Sequence, residues 1–151
     1  MIATGTISAI LRHKGSEVWS IPPQTKVFDA IVLMSEKNVG ALLVMERNQL
    51  HGVLSERDYT RKVAIKGKSS KQISVREILP EYCPTASPSH SVEECMRLMT
   101  EHRVRHLPIL DGNRVVGVVS IGDLVNWIIS AQSLAINQLE QYITGQYPSP
   151  S

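Results

Sequence analysis

The sequence predicts an α+β fold built from two copies of one small motif, packed sheet to sheet about a pseudo-twofold axis with a cleft between them. Three observations carry this. A chain of 151 residues with 42% hydrophobic residues is long enough to bury a core without disulfide or metal staples. Shifted by 65 residues, the stretch from Val27 to Tyr59 lies without a gap on the stretch from Val92 to Leu124, and eleven of 33 positions are identical. Each copy carries the same change of hydrophobic period, from helical to strand-like and back.

The elements follow in order. The first 17 residues are expected to form a leading, helical segment. EVWSIP in copy one and CPTASP in copy two are short extended pieces. Pro22, Pro23, Pro84 and Pro88 end them and release the chain into a helix. Val27, Ala30, Ile31 and Met34 fall on one helical face, and Val92, Cys95, Met96 and Met99 repeat it. The apolar runs ALLVM and HLPIL then read as strands. ERNQ and DGNR turn the chain, DGN being a strong hairpin signal. LHGVLS and VVGVVS are the return strands, and a second helix opens near Ser55 or Ser120. GKSSKQIS between the copies reads as a surface loop. VREILP is one helical turn stopped by Pro80. A last helix spans roughly residues 122–143, and PSPS is a frayed tail. The organisation expected is a leading segment 1–17, motif one 18–68, a linker 69–82, motif two 83–143 and a tail 144–151.

Several function classes fall away on composition. Sixteen Lys and Arg against fourteen Asp and Glu give a net charge of +2, too balanced for a nucleic-acid binder, and the few aromatic residues are not interleaved with basic ones. The longest apolar runs are far short of a membrane span. The N-terminus has no signal-peptide pattern, and two cysteines make no secreted framework, so a cytoplasmic protein with reduced thiols is expected. No catalytic motif, nucleophile–base pair or metal spacing is visible, so neither an enzyme nor a metal site is expected. His102 and His106 stand four apart, but one ends a helix and the other begins a strand. Cys95 and the methionines at 34, 96 and 99 read as core.

The sharpest motif is GVLSERD from Gly52 and GVVSIGD from Gly117: Gly, Ser three residues on, and Asp three further, at a strand-to-helix corner. One reading is structural, with Ser as the helix N-cap and the acid closing a capping box. The other is chemical. A carboxylate there can accept hydrogen bonds from a ribose diol, and the helix N-terminus offers N–H groups to a phosphate. Gly in front would let a backbone or a flat ring approach. The two readings are compatible, because a carboxylate has two oxygens.

A tandem helix–strand–strand–helix repeat closed by these motifs, with RHLPIL in its second copy, resembles the CBS (cystathionine-β-synthase-type) domain pair, or Bateman module. The likeness covers roughly residues 18–127. It implies regulatory binding of an adenosine ligand in the cleft: AMP first, with NAD, ADP, ATP or S-adenosylmethionine as alternatives, and no metal. Carried onto this sequence, Asp58, Asp123, Ser55 and Ser120 would meet ribose, and Arg105, His106, Arg57 and Arg103 phosphate. Ile21, Thr25, Val53, Val118 and Thr85 would flank adenine. Copy one has Gly40–Ala41 where copy two has Arg105–His106, so the two sites are expected to be unequal. The resemblance also implies a homodimer, with Trp127, Ile128, Ala131, Leu134 and Ala135 on the last helix as one candidate seam, and an effector protein that the sequence does not name. A ligand-independent dimeric adaptor is the rival reading.

Overall fold

The computed structural model describes residues 5–15 and 17–144. Residues 145–151, which make up all but the first residue of the expected tail 144–151, lie outside them. A leading helix α1 (Ile7–Lys14) precedes copy one, which runs β1 (Ser20–Ile21), α2 (Val27–Lys37), β2 (Ala41–Glu46), β3 (Gln49–Ser55) and α3 (Glu56–Tyr59). α3 continues as a π-helical turn, Thr60–Ala64, and a 3₁₀ turn follows at Val75–Ile78. Copy two runs α4 (Val92–His102), β4 (His106–Asp111), β5 (Arg114–Ser120) and α5 (Ile121–Thr144). The order read from the sequence is the order observed.

The hairpins repeat to the residue. Ala41 lies opposite Ser55 and His106 opposite Ser120. The register slips once in each hairpin, at Val44/Met45 and at Ile109/Leu110. The turns differ in chemistry. Arg47 and Asn48 both take a left-handed φ (54° and 62°), the twist-matched pattern of a two-residue hairpin loop, whereas Gly112 alone does so in copy two (64°). The leading strands also differ. β1 pairs in parallel with β2, while in copy two only Ala86 bridges Ile109.

Two apolar clusters hold the fold, and each borrows from outside its own copy. Ile7 and Ile10 of α1 are buried with Val92, Cys95, Met99, Leu107 and Leu124 of copy two. Val75 and Ile78 are buried with Val27, Ala30, Met34, Leu42 and Leu54 of copy one. The main-chain bonds are mirrored as well. The Ile7 N–H donates to His90 O (2.9 Å) and the Val75 N–H to Thr25 O (2.8 Å). Ser8 donates to Pro88 O and Arg76 to Pro23 O, both at 2.9 Å. The duplication therefore extends into the leading segments, where the shift is 68 residues (Ile7 onto Val75) instead of 65. The ungapped comparison misses this because three residues fewer separate the second leading segment from the motif that follows it.

The motif glycines take their meaning from this packing. A Cβ on Gly117 would stand 2.7 Å from Leu11 Cδ2, and one on Gly52 would stand 3.3 Å from Leu79 Cδ2. Their bare faces seat the two leading segments. The expectation of a close approach holds, but the side chain of a leucine makes it, where the sequence suggested a ligand ring.

Candidate functional site

Both S-x-x-D motifs form capping boxes. Ser55 N–H donates to Asp58 Oδ2 (2.9 Å) and Asp58 N–H to Ser55 Oγ (3.2 Å). In copy two, Ser120 N–H donates to Asp123 Oδ2 (2.8 Å) and Asp123 N–H to Ser120 Oγ (3.1 Å). The structural role and the placement of the acid are thus one geometry. The strand delivers Ser to the corner, the box fixes the carboxylate, and the helix N-terminus adds positive potential beside it.

Each corner opens into a cleft completed by the other copy. The Asp58 cleft, of about 630 Å³, is lined by Val53, Ser55, Arg57, Asp58, Arg61 and Lys62 from copy one, and by Arg103, Arg105 and His106 from copy two. The Asp123 cleft, of about 520 Å³, is lined by Val118, Ser120, Asp123 and His106 from copy two. Trp19, Lys37, Asn38, Gly40 and Ala41 from copy one, and Lys14 at the end of α1, complete it. Both volumes lie in the range of small-molecule sites. His106 and Gly40 border both clefts. A Cβ on Gly40 would stand 3.8 Å from the imidazole, which marks where the two clefts meet.

Ten of the thirteen residues singled out from the sequence therefore line a cleft: Asp58, Asp123, Ser55, Ser120, Arg105, His106, Arg57, Arg103, Val53 and Val118. Three do not. Ile21 is 7% exposed within the copy-one cluster, Thr25 accepts the mirrored bond from Val75, and Thr85 is exposed outside both clefts. Trp19, two residues before Ile21, lines the Asp123 cleft instead. The sequence reading missed Lys14, Trp19 and Lys37, which sit at the end of α1, just before β1 and at the end of α2, away from the motif.

The electrostatics of the two clefts differ. Five permanent cations (Arg57, Arg61, Lys62, Arg103, Arg105) face two acids (Glu56, Asp58) in one. Two lysines (14 and 37) face two acids (Glu17, Asp123) in the other. Asp58 has Lys62 Nζ 3.6 Å from Oδ1, along its own helical turn. Asp123 has Lys14 Nζ 2.7 Å from Oδ2, and the same ammonium donates to Val118 O at 2.9 Å. Partial burial works to raise the Asp123 pKa, but the hydrogen bonds from Lys14 and Ser120 outweigh it and hold the carboxyl below its ordinary value. His106 shifts down as well, chiefly because burial disfavours the imidazolium, with Asp123 and Asp58 pulling the other way.

Arg103 ends α4 with a left-handed φ of 55°, as Asn38 does for α2. Asparagine tolerates that conformation; arginine is held in it at a cost. The two cysteines are inert by their surroundings, since burial pushes each thiol up to about 11. No cluster of three metal-ligating side chains occurs among the described residues. No helix among them is long and apolar enough to cross a membrane.

Comparison with known proteins agrees with this geometry. The CBS domain model matches residues 8–65 and 75–130. The chain is similar to the CBS domain-containing protein CBSX3, mitochondrial, of Arabidopsis thaliana, at 38% identity over 94% of this chain and 73% of the relative. A solved protein with CBS domains from Burkholderia ambifaria MC40-6 superposes with a TM-score of 0.80 at 46% identity, covering 83% of this chain and 95% of that one. The CBS domain pair of protein MJ0100, solved with 5′-methylthioadenosine and S-adenosyl-L-methionine, shares the fold (TM-score 0.73, 19% identity, 83% of this chain and 97% of that one). Two matched motifs, two capping-box corners and two clefts closed by opposite copies have one reading: the chain belongs to the CBS domain family, as a tandem pair.

Proposed function

We propose that this chain is a regulatory module that binds an adenosine ligand, AMP-like or NAD-like, between its two copies. CBS-domain pairs are in general regulatory modules, and the bound compounds of the MJ0100 pair are adenosine derivatives. The observation that carries the proposal is the Asp58 cleft. A carboxylate held at a helix N-terminus suits a ribose diol, and across the cleft Arg103, Arg105 and His106 suit a phosphate. Guanidinium groups present planar donor pairs to phosphate oxygens, which a nucleoside monophosphate would fill. ADP, ATP and NAD fit the same chemistry with more phosphate. Because each cleft is closed by both copies, a ligand there favours one relative arrangement of the copies. It shifts the equilibrium by its differential affinity for that arrangement.

The output would pass through a homodimer or to an effector protein. α5 suits a contact between copies of the chain. Val125, Ile129, Ile136, Leu139 and Ile143 form one exposed stripe, from 38% exposed at Val125 to 73% at Ile143. Glu140 is the single charge after Asp123 in that helix. This stripe differs from the seam read in the sequence: Trp127 and Ile128 pack on the copy-two core, Leu134 is exposed, and the Ala135 side chain lies outside the described residues. The rival, a ligand-independent adaptor, draws on the same stripe and on the capping boxes, which use the acids without any ligand.

Calorimetry with AMP, ATP, NAD and S-adenosylmethionine tests the proposal. Binding of at least one, weakened by Asp58→Asn, is expected. A flat response to all four, with the dimer intact, leaves the adaptor reading.

A further inference from the structure

We propose that Lys14 makes the Asp123 cleft selective for anionic ligands, because its ammonium already holds the acceptors that a neutral nucleoside would need. The inference rests on the ribose-binding reading of Asp123. One nitrogen, Lys14 Nζ, donates to the motif carboxylate at 2.7 Å and to the carbonyl of Val118 at 2.9 Å. These are the acceptor for a sugar hydroxyl and a main-chain acceptor on the strand beside it. A sugar diol that takes both oxygens of Asp123 has to break, at Oδ2, an ion pair whose side chains are only 32% and 27% exposed.

The lysine is not on a loose tail. α1 is nailed down by Ile7 (0% exposed), Ile10 (3%) and Leu11 on Gly117, so Lys14 returns to the same place whenever the carboxylate is free. A neutral nucleoside would leave the displaced ammonium without a counter-charge. A ligand bearing phosphate would offer it a new one, with Lys37 lining the same cleft. Among the described residues, the other half of the molecule has no such device. The counterpart of Lys14 in the second leading segment is Tyr82, whose ring lies 5.1 Å from that of His102, and the cation nearest Asp58 comes from its own helical turn at 3.6 Å.

The test uses the full chain with Asp58→Asn, so that the Asp123 cleft reports alone, and compares AMP with adenosine by calorimetry. Lys14→Met, which keeps the aliphatic stem, is expected to tighten adenosine and to reduce the AMP-to-adenosine affinity ratio by roughly five- to ten-fold. Lys14→Arg is expected to preserve the ratio, since it preserves the charge. A ratio unchanged in Lys14→Met while AMP still binds overturns the inference and leaves the ribose reading standing. Equal tightening of both ligands also overturns it, showing a plug without selectivity. Failure of AMP and adenosine to bind the Asp58→Asn chain in any form, while the unsubstituted chain binds neither, overturns the ribose reading and this inference together.

Discussion

The two clefts are built by one motif used twice, yet they present different surfaces to a ligand. Hairpin register, capping box and carboxylate position are the same in both. The Asp58 cleft collects five permanent cations and leaves its acid with a neighbour 3.6 Å away. The Asp123 cleft is charge-balanced, and its acid is held by a lysine at 2.7 Å. Glu56 and Arg57 inside the motif, where copy two has Ile121 and Gly122, supply part of the difference, and residues outside the motif supply the rest. The motif fixes where a carboxylate stands; the segments that pack around it decide what can reach that carboxylate. Duplication keeps the first and frees the second to diverge.

The largest expected effect sets the acids against each other. Asp58→Asn should weaken a phosphate-bearing adenosine ligand by roughly a hundred-fold, as loss of charged hydrogen bonds in a cleft does. Asp123→Asn should weaken it about ten-fold or less, because Lys14 already competes for that oxygen. Calorimetry of the two single variants decides, and equal losses would show the clefts to be equivalent despite Lys14.

Next come the glycines. Gly117→Ala should destabilise the fold by about 1–3 kcal/mol, because Leu11 has to leave its rotamer or shift α1. Gly52→Ala should cost less, its contact with Leu79 being 3.3 Å against 2.7 Å. Urea unfolding of both variants measures the gap, and the reverse order would mean that α1 is the softer of the two leading segments.

Arg103 offers a gain. Replacing it with Gly removes a left-handed arginine, which should stabilise the protein by about 1 kcal/mol while weakening phosphate-bearing ligands several-fold. Asn38→Gly, at the equivalent helix end, should change stability little. A stability loss in Arg103→Gly would show that the side chain holds α4 in place.

The smallest effect is on pH. His106 and Asp123 both have pKa values below their ordinary ones in the folded state. Each therefore contributes stability that is present above its unfolded pKa and is lost as pH falls through the folded one. For His106 the loss begins below about 6.5 and for Asp123 below about 4. Substituting His106 with Gln should flatten the upper limb of the stability profile and leave the lower one. A profile identical to that of the parent chain would contradict burial of a neutral imidazole at the junction of the clefts.

Much of this was legible in the residues alone. The ungapped repeat located both helix–strand–strand–helix units. Ser and Asp three apart at a strand end predicted the capping boxes, and Cys95 with Met34 and Met99 marked core faces. The leading segments were less legible. Ile7, Ile10 and Leu11 answer to Val75, Ile78 and Leu79, but a different shift hides them, and each segment packs on the opposite copy. Ile21, Thr25 and Thr85 were placed beside the adenine by resemblance, whereas Trp19 is the residue of that region that lines a cleft.

By itself the sequence determined everything governed by short range: helical faces, hairpin turns, caps and the position of each acid relative to its own serine. These depend on backbone periodicity and on hydrogen bonds three residues apart. Only the tertiary structure decided which carboxylate is held and which stands beside a ring of cations. The Lys14–Asp123 pair joins residues 109 positions apart. Such a contact depends on how a leading helix seats against a glycine in the other copy, and no local pattern encodes that.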